Sequence, residues 1–228
     1  MIASARVALY YAPALDDPLW QAGASWLGRD PETNVEHVQP AIAEATADPR
    51  LYGFHATLKP PMRLREGIAW NDVLRATDEV ASRIGPFDLP PLAVTNLHGF
   101  LALRETMPSA ALQALSDASV AGLDALRAPP DAAELARRRR GNLAPEHDAM
   151  LVRWGYPYVF DTWFFHMTLT RRLTAAEHAL FHPLATAHFA PALAQPRRVN
   201  DICLFTQPDA GVPFVLADRI ELRGSSFR

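Results

Sequence analysis

The chain has 228 residues, of which 49% are hydrophobic and 21% are charged, and its formal net charge is −3. This length predicts one domain with a sizeable buried core, and the slightly negative charge disfavours a surface that coats nucleic acid, although a local basic patch is compatible with it. A single cysteine, Cys203, excludes an internal disulfide, and the chain shows neither a signal peptide nor an apolar run of about 18 residues. These features predict a cytoplasmic protein that has no membrane partner.

In the first half of the chain, short β-branched and aromatic runs predict strands, and apolar residues at three- and four-residue steps predict helices. In chain order these elements are a strand at 6–11, a helix capped by Asp16 or Asp17 that ends at Gly28, a loop or a short helix around 41–47, a strand at 52–58, a helix at 70–84, strands at 87–94 and 97–103, and a helix at 109–126. Prolines end several of them, because proline neither donates to a β-ladder nor continues a helix.

Pro129 and Pro130 mark a predicted pseudo-boundary between two halves. The second half is predicted to contain a helix from Asp131 into the arginine run 137–140, a helix at 145–154, a strand at 161–170, a helix at 174–188, and closing strands at 200–206 and 214–222. The order of elements is similar in both halves. This similarity predicts a single α+β domain over residues 1–228 with two pseudo-symmetric lobes, each with an antiparallel sheet and helices, and with the chain free to cross between the lobes.

One pattern occurs in both halves, inside the predicted strands at 52–58 and 161–170. Residues 52–59 read YGFHATLK and residues 163–170 read WFFHMTLT. Because side chains alternate along a strand, His55 shares a face with Thr57, and His166 shares a face with Thr168. A single histidine among strand aromatics is more often a core residue, but the duplication with matching threonines favours a functional site.

Two facing imidazoles are suited to acid–base chemistry at a phosphate. A neutral histidine can take a proton from an attacking oxygen while a protonated one returns a proton to the leaving oxygen. Threonine hydroxyls can donate hydrogen bonds to the phosphoryl oxygens. Each strand supplies only one imidazole, and no metal-ligand spacing or cysteine cluster surrounds either copy, so neither a metal nor a cofactor is expected. The sequence also contains no Gly-x-Ser-x-Gly elbow, no Walker loop and no Gly-x-Gly-x-x-Gly motif.

The two His-x-Thr motifs in a chain of this size resemble the 2H phosphoesterase superfamily. The stretches at 20–28, 52–61 and 165–170 are similar to one branch of it, the DUF1045 family of phosphonate metabolism proteins. This resemblance implies a bilobal fold with the motif strands facing a central cleft, and it implies catalytic roles for His55, Thr57, His166 and Thr168. It further implies a metal-independent cyclic phosphodiesterase, a phosphoric diester hydrolase, acting on a small cyclic phosphate sugar such as 5-phosphoribosyl 1,2-cyclic phosphate.

Cations are expected around a small phosphorylated sugar or nucleotide substrate. Lys59 and Arg172 follow the two motifs at even spacing, which puts each on the face of its histidine in a regular strand. Arg63 lies beyond two prolines, where strand spacing no longer applies. Tyr11 and Tyr158 are candidates to contact a sugar ring. For each of these five residues, a solvated strand end or ordinary packing is the competing interpretation.

Two alternatives stay open at this stage. One is an RNA 2′,3′-cyclic phosphodiesterase or a 2′-5′ RNA ligase-like enzyme, which the arginines at 137–140 and 197–198 favour and the sequence pI of about 6.2 disfavours. The other is a non-catalytic protein that binds a phosphorylated ligand. Protein partners and oligomeric state are not indicated.

Overall fold

The computed structural model describes residues 5–36, 41–139 and 143–225, and its strands lie mainly in one antiparallel sheet. The strands of this described part are β1 (Arg6–Tyr11), β2 (Ala56–Met62), β3 (Phe87–Asp88), β4 (Leu92–Leu97), β5 (Phe100–Glu105), β6 (Met167–Thr168), β7 (Arg198–Val199), β8 (Asp201–Gln207) and β9 (Val215–Glu221). Seven of them pair in the order β4-β5-β6-β2-β1-β8-β9, and β3 pairs with β7 separately.

Helices surround the sheet in the same part of the chain. They are α1 (Pro18–Leu27), α2 (Ala43–Tyr52), α3 (Trp70–Ala81), α4 (Ala110–Leu123), α5 (Ala132–Arg139), α6 (Pro145–Trp154) and α7 (Ala175–Leu193), with 3₁₀ turns at Asp124–Leu126 and Phe160–Thr162. The α+β class predicted from the sequence is confirmed by this arrangement. No helix among the described residues combines the length and apolar character required to cross a membrane.

Local sequence signals account for most of these boundaries. The Asp17 carboxylate accepts a hydrogen bond from the Leu19 backbone N–H at the start of α1, and Gly28 ends that helix in the left-handed region with φ 83°,. The predicted strand at 87–94 is wrong as one element. It is divided into β3 and β4, because Pro90 and Pro91 stand between them and cannot donate to a ladder,.

The expectation of one sheet in each lobe does not match the structure. The two motif strands, β2 and β6, pair directly with each other at the centre of the sheet, with Ala56 opposite Met167. Strands from before and after Pro129–Pro130 therefore join one continuous ladder. Ala56 and Met167 are both buried on the face that is covered by the core.

The first motif strand keeps the predicted length of seven residues but begins four residues later, the second is much shorter than predicted, and both histidines precede their strands. Helix α2 runs to Tyr52, Gly53 turns the chain with φ 76°, and β2 begins only at Ala56. Pro49 inside α2 cannot bond to the carbonyl of Ala45, and that carbonyl accepts the backbone N–H of Arg171 instead, at 2.7 Å,. This bond ties α2, which leads into the first motif, to the segment that follows the second.

Helix packing covers the core face of the motif strands. Helix α4 packs on β2, and α7 packs on β4 and β5. The core between them contains Leu58, Leu103 and Leu169, all at most 1% exposed, and burying a leucine side chain contributes about 1.5–3 kcal/mol. The opposite face of β2 and β6 is free of this covering and carries the motif side chains.

Candidate active site

The four motif side chains lie on one face of the central β2–β6 pair. Ala56 opposes Met167 in antiparallel register, so His55 lies towards Thr168, and Thr57 lies towards His166. Ala56 and Met167 point to the buried face, and alternation turns their neighbours to the other face. The strand pairing therefore brings together the two His-Thr pairs, which the sequence separates.

His55 is held by contacts on three sides. Its Nδ1 lies 2.8 Å from the Gly53 carbonyl oxygen, which assigns the proton of the neutral ring to Nδ1,. Its Nε2 lies 3.2 Å from Thr57 Oγ1, and its ring stacks on Tyr10 with centroids 3.6 Å apart and planes 20° apart. The imidazole is fixed with Nε2 as the nitrogen that can accept a proton.

His166 repeats part of this arrangement. Its Nδ1 lies 3.2 Å from the carbonyl oxygen of Phe164, again two residues earlier. Its ring lies beside those of Phe164 and Phe100, at centroid distances of 5.0 and 6.2 Å. Nε2 is again the nitrogen left for a ligand or for Thr168.

Both histidines are favoured in the neutral form. Burial lowers the pKa of His55 to about 4 against the opposing bond to Gly53, and the nearby His166 lowers it further,. Burial, with the positive charge of Arg104, also lowers the pKa of His166, against its bond to Phe164. Because a positive imidazolium would be stabilised by an anion, binding of a phosphate here is expected to raise both pKa values.

A cavity of about 1060 Å³ opens at this face of the sheet; it is called the motif cavity below. Its wall includes His55, Thr57, Thr168 and Phe100. His166 is not part of the lining itself, although Phe100 and Thr168 beside it are. Seven arginines and three carboxylate residues line the cavity among the described residues, so it concentrates positive charge in a chain whose net charge is −3.

Two of the cations predicted from sequence reach this cavity. Arg63 lines it and pairs with Asp131 at 3.0 Å and Glu134 at 3.8 Å. Arg172 lines it at the other motif, where its guanidinium donates to the His98 carbonyl oxygen at 2.6 Å. The polar lining thus flanks the histidines on both sides.

The prediction that Lys59 shares the face of His55 is wrong. Tyr10 opposes Thr57 and Leu9 opposes Lys59, so one step along β1 matches two steps along β2. This β-bulge breaks the alternation and turns Lys59 to the opposite face. There its ammonium donates to the Val120 carbonyl oxygen at 2.9 Å and pairs with Asp124 at 3.3 Å, and burial lowers its pKa to about 8.

Neither predicted tyrosine lines the motif cavity. Tyr11 is buried against Phe165 with ring centroids 5.9 Å apart, because it points to the core face of β1. Tyr158 is 40% exposed and packs edge-on against His147 and Tyr156. Tyr10 takes the position that was expected of Tyr11.

Several lining residues were not predicted from the sequence, notably Arg6, Tyr10, Phe100 and Thr170. Alternation places Arg6 and Tyr10 on one face of β1, but it does not say which face meets His55. The register of β1 with β2 decides this point. Phe100 and Thr170 carry no pattern that separates them from core residues.

The arginine-rich stretches do not form one continuous basic channel in the described residues. Arg137 and Arg138 line the motif cavity, whereas Arg139 pairs with Asp148. Arg140 lies outside the described residues. Arg197 is nearly buried and pairs with Asp17 at 3.1 Å, a structural role. No group of three or more His, Cys, Asp or Glu in the described chain is arranged to hold a metal ion.

Comparison with known proteins gives a family and curated relatives. A family model described as "Protein of unknown function (DUF1045)" matches residues 57–215. Two relatives are named "Ribose 1,5-bisphosphate phosphokinase PhnN". The one from Janthinobacterium sp. (strain Marseille) is 38% identical and covers 98% of this chain and 52% of its own length. The one from Laribacter hongkongensis (strain HLHK9) is 38% identical and covers 92% of this chain and 50% of its own length. The chain therefore spans about half the length of the curated relatives it matches.

Solved structures of E. coli LigT are also similar to this chain. The complex with phosphate has 13% sequence identity and a TM-score of 0.47, and the complex with 3′-AMP has 14% identity and a TM-score of 0.46. Each match covers 96% of this chain and 98% of the LigT chain.

These comparisons confirm the predicted family and contradict the predicted activity. The DUF1045 model covers most of the chain, as the resemblance implied. The relatives' name, however, is that of a phosphokinase, which transfers a phosphoryl group, and not of a phosphoric diester hydrolase. The prediction of a cyclic phosphodiesterase, with its RNA-directed and non-catalytic alternatives, is therefore wrong.

Proposed function

Because this chain belongs to the DUF1045 family and its curated relatives are named for ribose 1,5-bisphosphate, we propose that it binds a phosphorylated ribose in the motif cavity. We further propose that the site takes part in phosphoryl transfer, with His55 and His166 exchanging protons with the reacting oxygens. The phosphokinase activity for which the full-length relatives are named is assigned to this chain only within this proposal.

One observation carries the proposal: β2 and β6 pair directly and place two His-Thr pairs on one face, beside a cavity rich in arginine. A phosphorylated sugar combines negative phosphates with hydroxyls that carry transferable protons. Arginine binds phosphate oxygens through a planar fork of N–H donors. A neutral imidazole can accept a hydroxyl proton. The chemistry of the lining matches that of the ligand.

The proposed roles follow from the contacts of each side chain. In phosphoryl transfer, the bond from phosphorus to the leaving oxygen breaks and a bond to the acceptor oxygen forms. Neutral His55, with Nε2 available, takes the proton of an acceptor hydroxyl, and His166 in its protonated form returns a proton to the leaving oxygen. Thr57 and Thr168 donate hydrogen bonds to the phosphoryl oxygens. Arg63 and Arg172 line the cavity on the two flanks, where their positive charge attracts the anionic ligand,.

Two further predictions belong to this proposal. We propose that the reaction belongs to phosphonate metabolism, which the family resemblance implies and with which the relatives' substrate name is compatible. We also propose that the chain acts as one domain with a pseudo-boundary near residues 129–130. Its two pseudo-symmetric halves would each contribute one His-Thr pair.

The proposal is tested by measuring binding and transfer separately. Isothermal titration calorimetry with ribose 1,5-bisphosphate measures binding, and ³¹P NMR in the presence of ATP and Mg²⁺ follows phosphoryl transfer. The expected result is specific binding by the wild type. Transfer is expected to fall about 10²- to 10⁴-fold in His55→Ala and in His166→Ala, which is the usual contribution of a general acid or base.

A matched control is His182→Ala, because His182 lies on α7 away from the motif cavity. This variant should keep wild-type binding and transfer. Absence of binding by folded wild-type protein would overturn the proposal, and so would full transfer activity in both motif-histidine variants. Binding of ribose 1,5-bisphosphate without any phosphoryl transfer would overturn the catalytic part of the proposal and support only the assignment of the ligand.

A further inference from the structure

Arg6 is a cavity-lining cation that the roles above do not use. It begins β1, directly opposite Gln207 of β8, and lines the motif cavity. Its Nε donates to Gln207 Oε1 at 2.7 Å, and its guanidinium lies over the Phe214 ring, 5.3 Å from the centroid. No hydrogen bond to a described residue occupies its two terminal nitrogens, so their N–H groups are left for a partner in the cavity,.

Gln207 is built to hold Arg6 in this orientation. It is 3% exposed, and its amide nitrogen donates to the Val212 carbonyl oxygen at 2.6 Å. This bond fixes which end of the amide faces Arg6, so the amide oxygen is presented to the guanidinium. A buried amide anchored at both ends positions the arginine before any ligand arrives.

Arg6 differs in its partners from Arg63 and Arg171, two other arginines that line the cavity. Arg63 pairs with Asp131, and Arg171 pairs with Glu177 at 2.9 Å. Among the described residues, no carboxylate oxygen lies within the 4.0 Å ion-pair distance of Arg6. A partly buried cation held by neutral groups alone gains more from an anionic ligand than one that is already paired.

The position of Arg6 connects it to the histidines. Arg6, Ala8 and Tyr10 lie on one face of β1, because the strand keeps regular alternation against β8,. Tyr10 stacks directly on His55. Four residues of strand span about 13 Å between α-carbons. Ala8 between them is buried in a cluster with Phe205 and Phe214, so a ligand would reach from Arg6 to Tyr10 across the motif cavity that both residues line. The extended side chain of Arg6 and a sugar with two phosphates can bridge this gap.

We infer that Arg6, held by Gln207, recognises a second phosphate group, so that the motif cavity selects a bisphosphorylated sugar over a monophosphorylated one. This inference rests on the proposed function. The first phosphate then lies at the His-Thr pairs and the second at the Arg6 fork. No bond is made or broken at Arg6, which makes it a binding residue.

The test compares ligands across variants by calorimetry. Ribose 1,5-bisphosphate and ribose 5-phosphate are titrated into wild type, Arg6→Gln, Arg6→Lys and Gln207→Leu. Wild type should bind the bisphosphate more tightly than the monophosphate. Arg6→Gln should weaken binding of the bisphosphate about 10- to 100-fold more than binding of the monophosphate, which is the usual loss for a hydrogen bond to a charged group. Arg6→Lys should lose part of the preference, because it keeps the charge but not the fork. Gln207→Leu should also lose part of it.

The control variant is Arg75→Gln, an exposed arginine on α3 outside the cavity lining. It should keep the wild-type preference. An unchanged bisphosphate preference in Arg6→Gln overturns the inference and leaves the proposed function standing, and so does equal affinity of wild type for both ligands. If folded wild type binds neither sugar, the proposed function fails and this inference fails with it.

Discussion

The two copies of the His-x-Thr motif share residue types but not surroundings. His55 precedes a strand of seven residues, stacks on a buried tyrosine, lies within hydrogen-bonding distance of Thr57, and lines the motif cavity. His166 precedes a strand of two residues and lies between phenylalanine rings beside that lining. The repeated motif determines which face carries the imidazoles and hydroxyls, whereas the neighbouring strands determine the ring contacts and hydrogen bonds of each imidazole.

The residues that follow the motifs differ even more. Lys59 is buried beneath the sheet in a network with Asp124, whereas Arg172 is exposed and lines the cavity. Lys59 lies four residues after His55 and Arg172 six after His166, so each would share the face of its histidine only in a regular strand,. A β-bulge in the first copy breaks the alternation, and Lys59 takes a structural role,.

Removing the partner of Lys59 is expected to have the larger effect on stability. Asp124→Ala leaves the buried ammonium without its carboxylate and should lower the free energy of unfolding by about 3–5 kcal/mol, as for other broken buried pairs. Arg172→Ala removes an exposed cation and should change it by about 0.5 kcal/mol or less. Urea unfolding of both variants measures the difference. Equal losses would contradict the different environments assigned to the two cations.

The pH dependence of stability sharpens the comparison of the histidines. The pKa of His55 in the folded protein is about 4, below its ordinary value of 6.5, so the unfolded chain binds the proton more readily. The stabilising contribution of neutral His55 is therefore fully present above about pH 6.5 and decreases as the pH falls towards 4. The pKa of His166 is shifted in the same direction.

Thermal unfolding between pH 7.5 and pH 4 tests this. The midpoint of the wild type should fall with decreasing pH. His55→Gln should flatten the profile more than His166→Gln, because burial lowers the pKa of His55 as far as about 4. Profiles of both variants that superimpose on the wild type would show that neither histidine is held in its neutral form.

Much of the fold could be predicted from local signals. The cap at Asp17, the end at Gly28 and the capping box at Thr174 specified helix ends correctly, because these signals act within one helical turn,. The division of the predicted strand at 87–94 into two strands was not predicted, although Pro90 and Pro91 indicate a break at this point,. The single sheet could not be foreseen, because pairing of β2 with β6 joins residues far apart in the sequence.

The site was predictable only in part, for the same reason. The strand alternation that grouped each histidine with its threonine holds over two residues, and it fails over four once a bulge intervenes at Lys59. Choosing Tyr11 instead of Tyr10 required the register of β1, which no local pattern contains. Arg6 and Gln207 become partners only because β1 and β8 pair across the length of the chain.

The central claim is that one phosphorylated ribose contacts both histidines. The most direct measurement is a ¹H–¹⁵N NMR titration of the imidazole signals with ribose 1,5-bisphosphate. The account predicts that the signals of His55 and His166 move together, with one dissociation constant and towards the protonated form, while that of His182 stays in place. Saturable binding that leaves both motif histidines unmoved would contradict it.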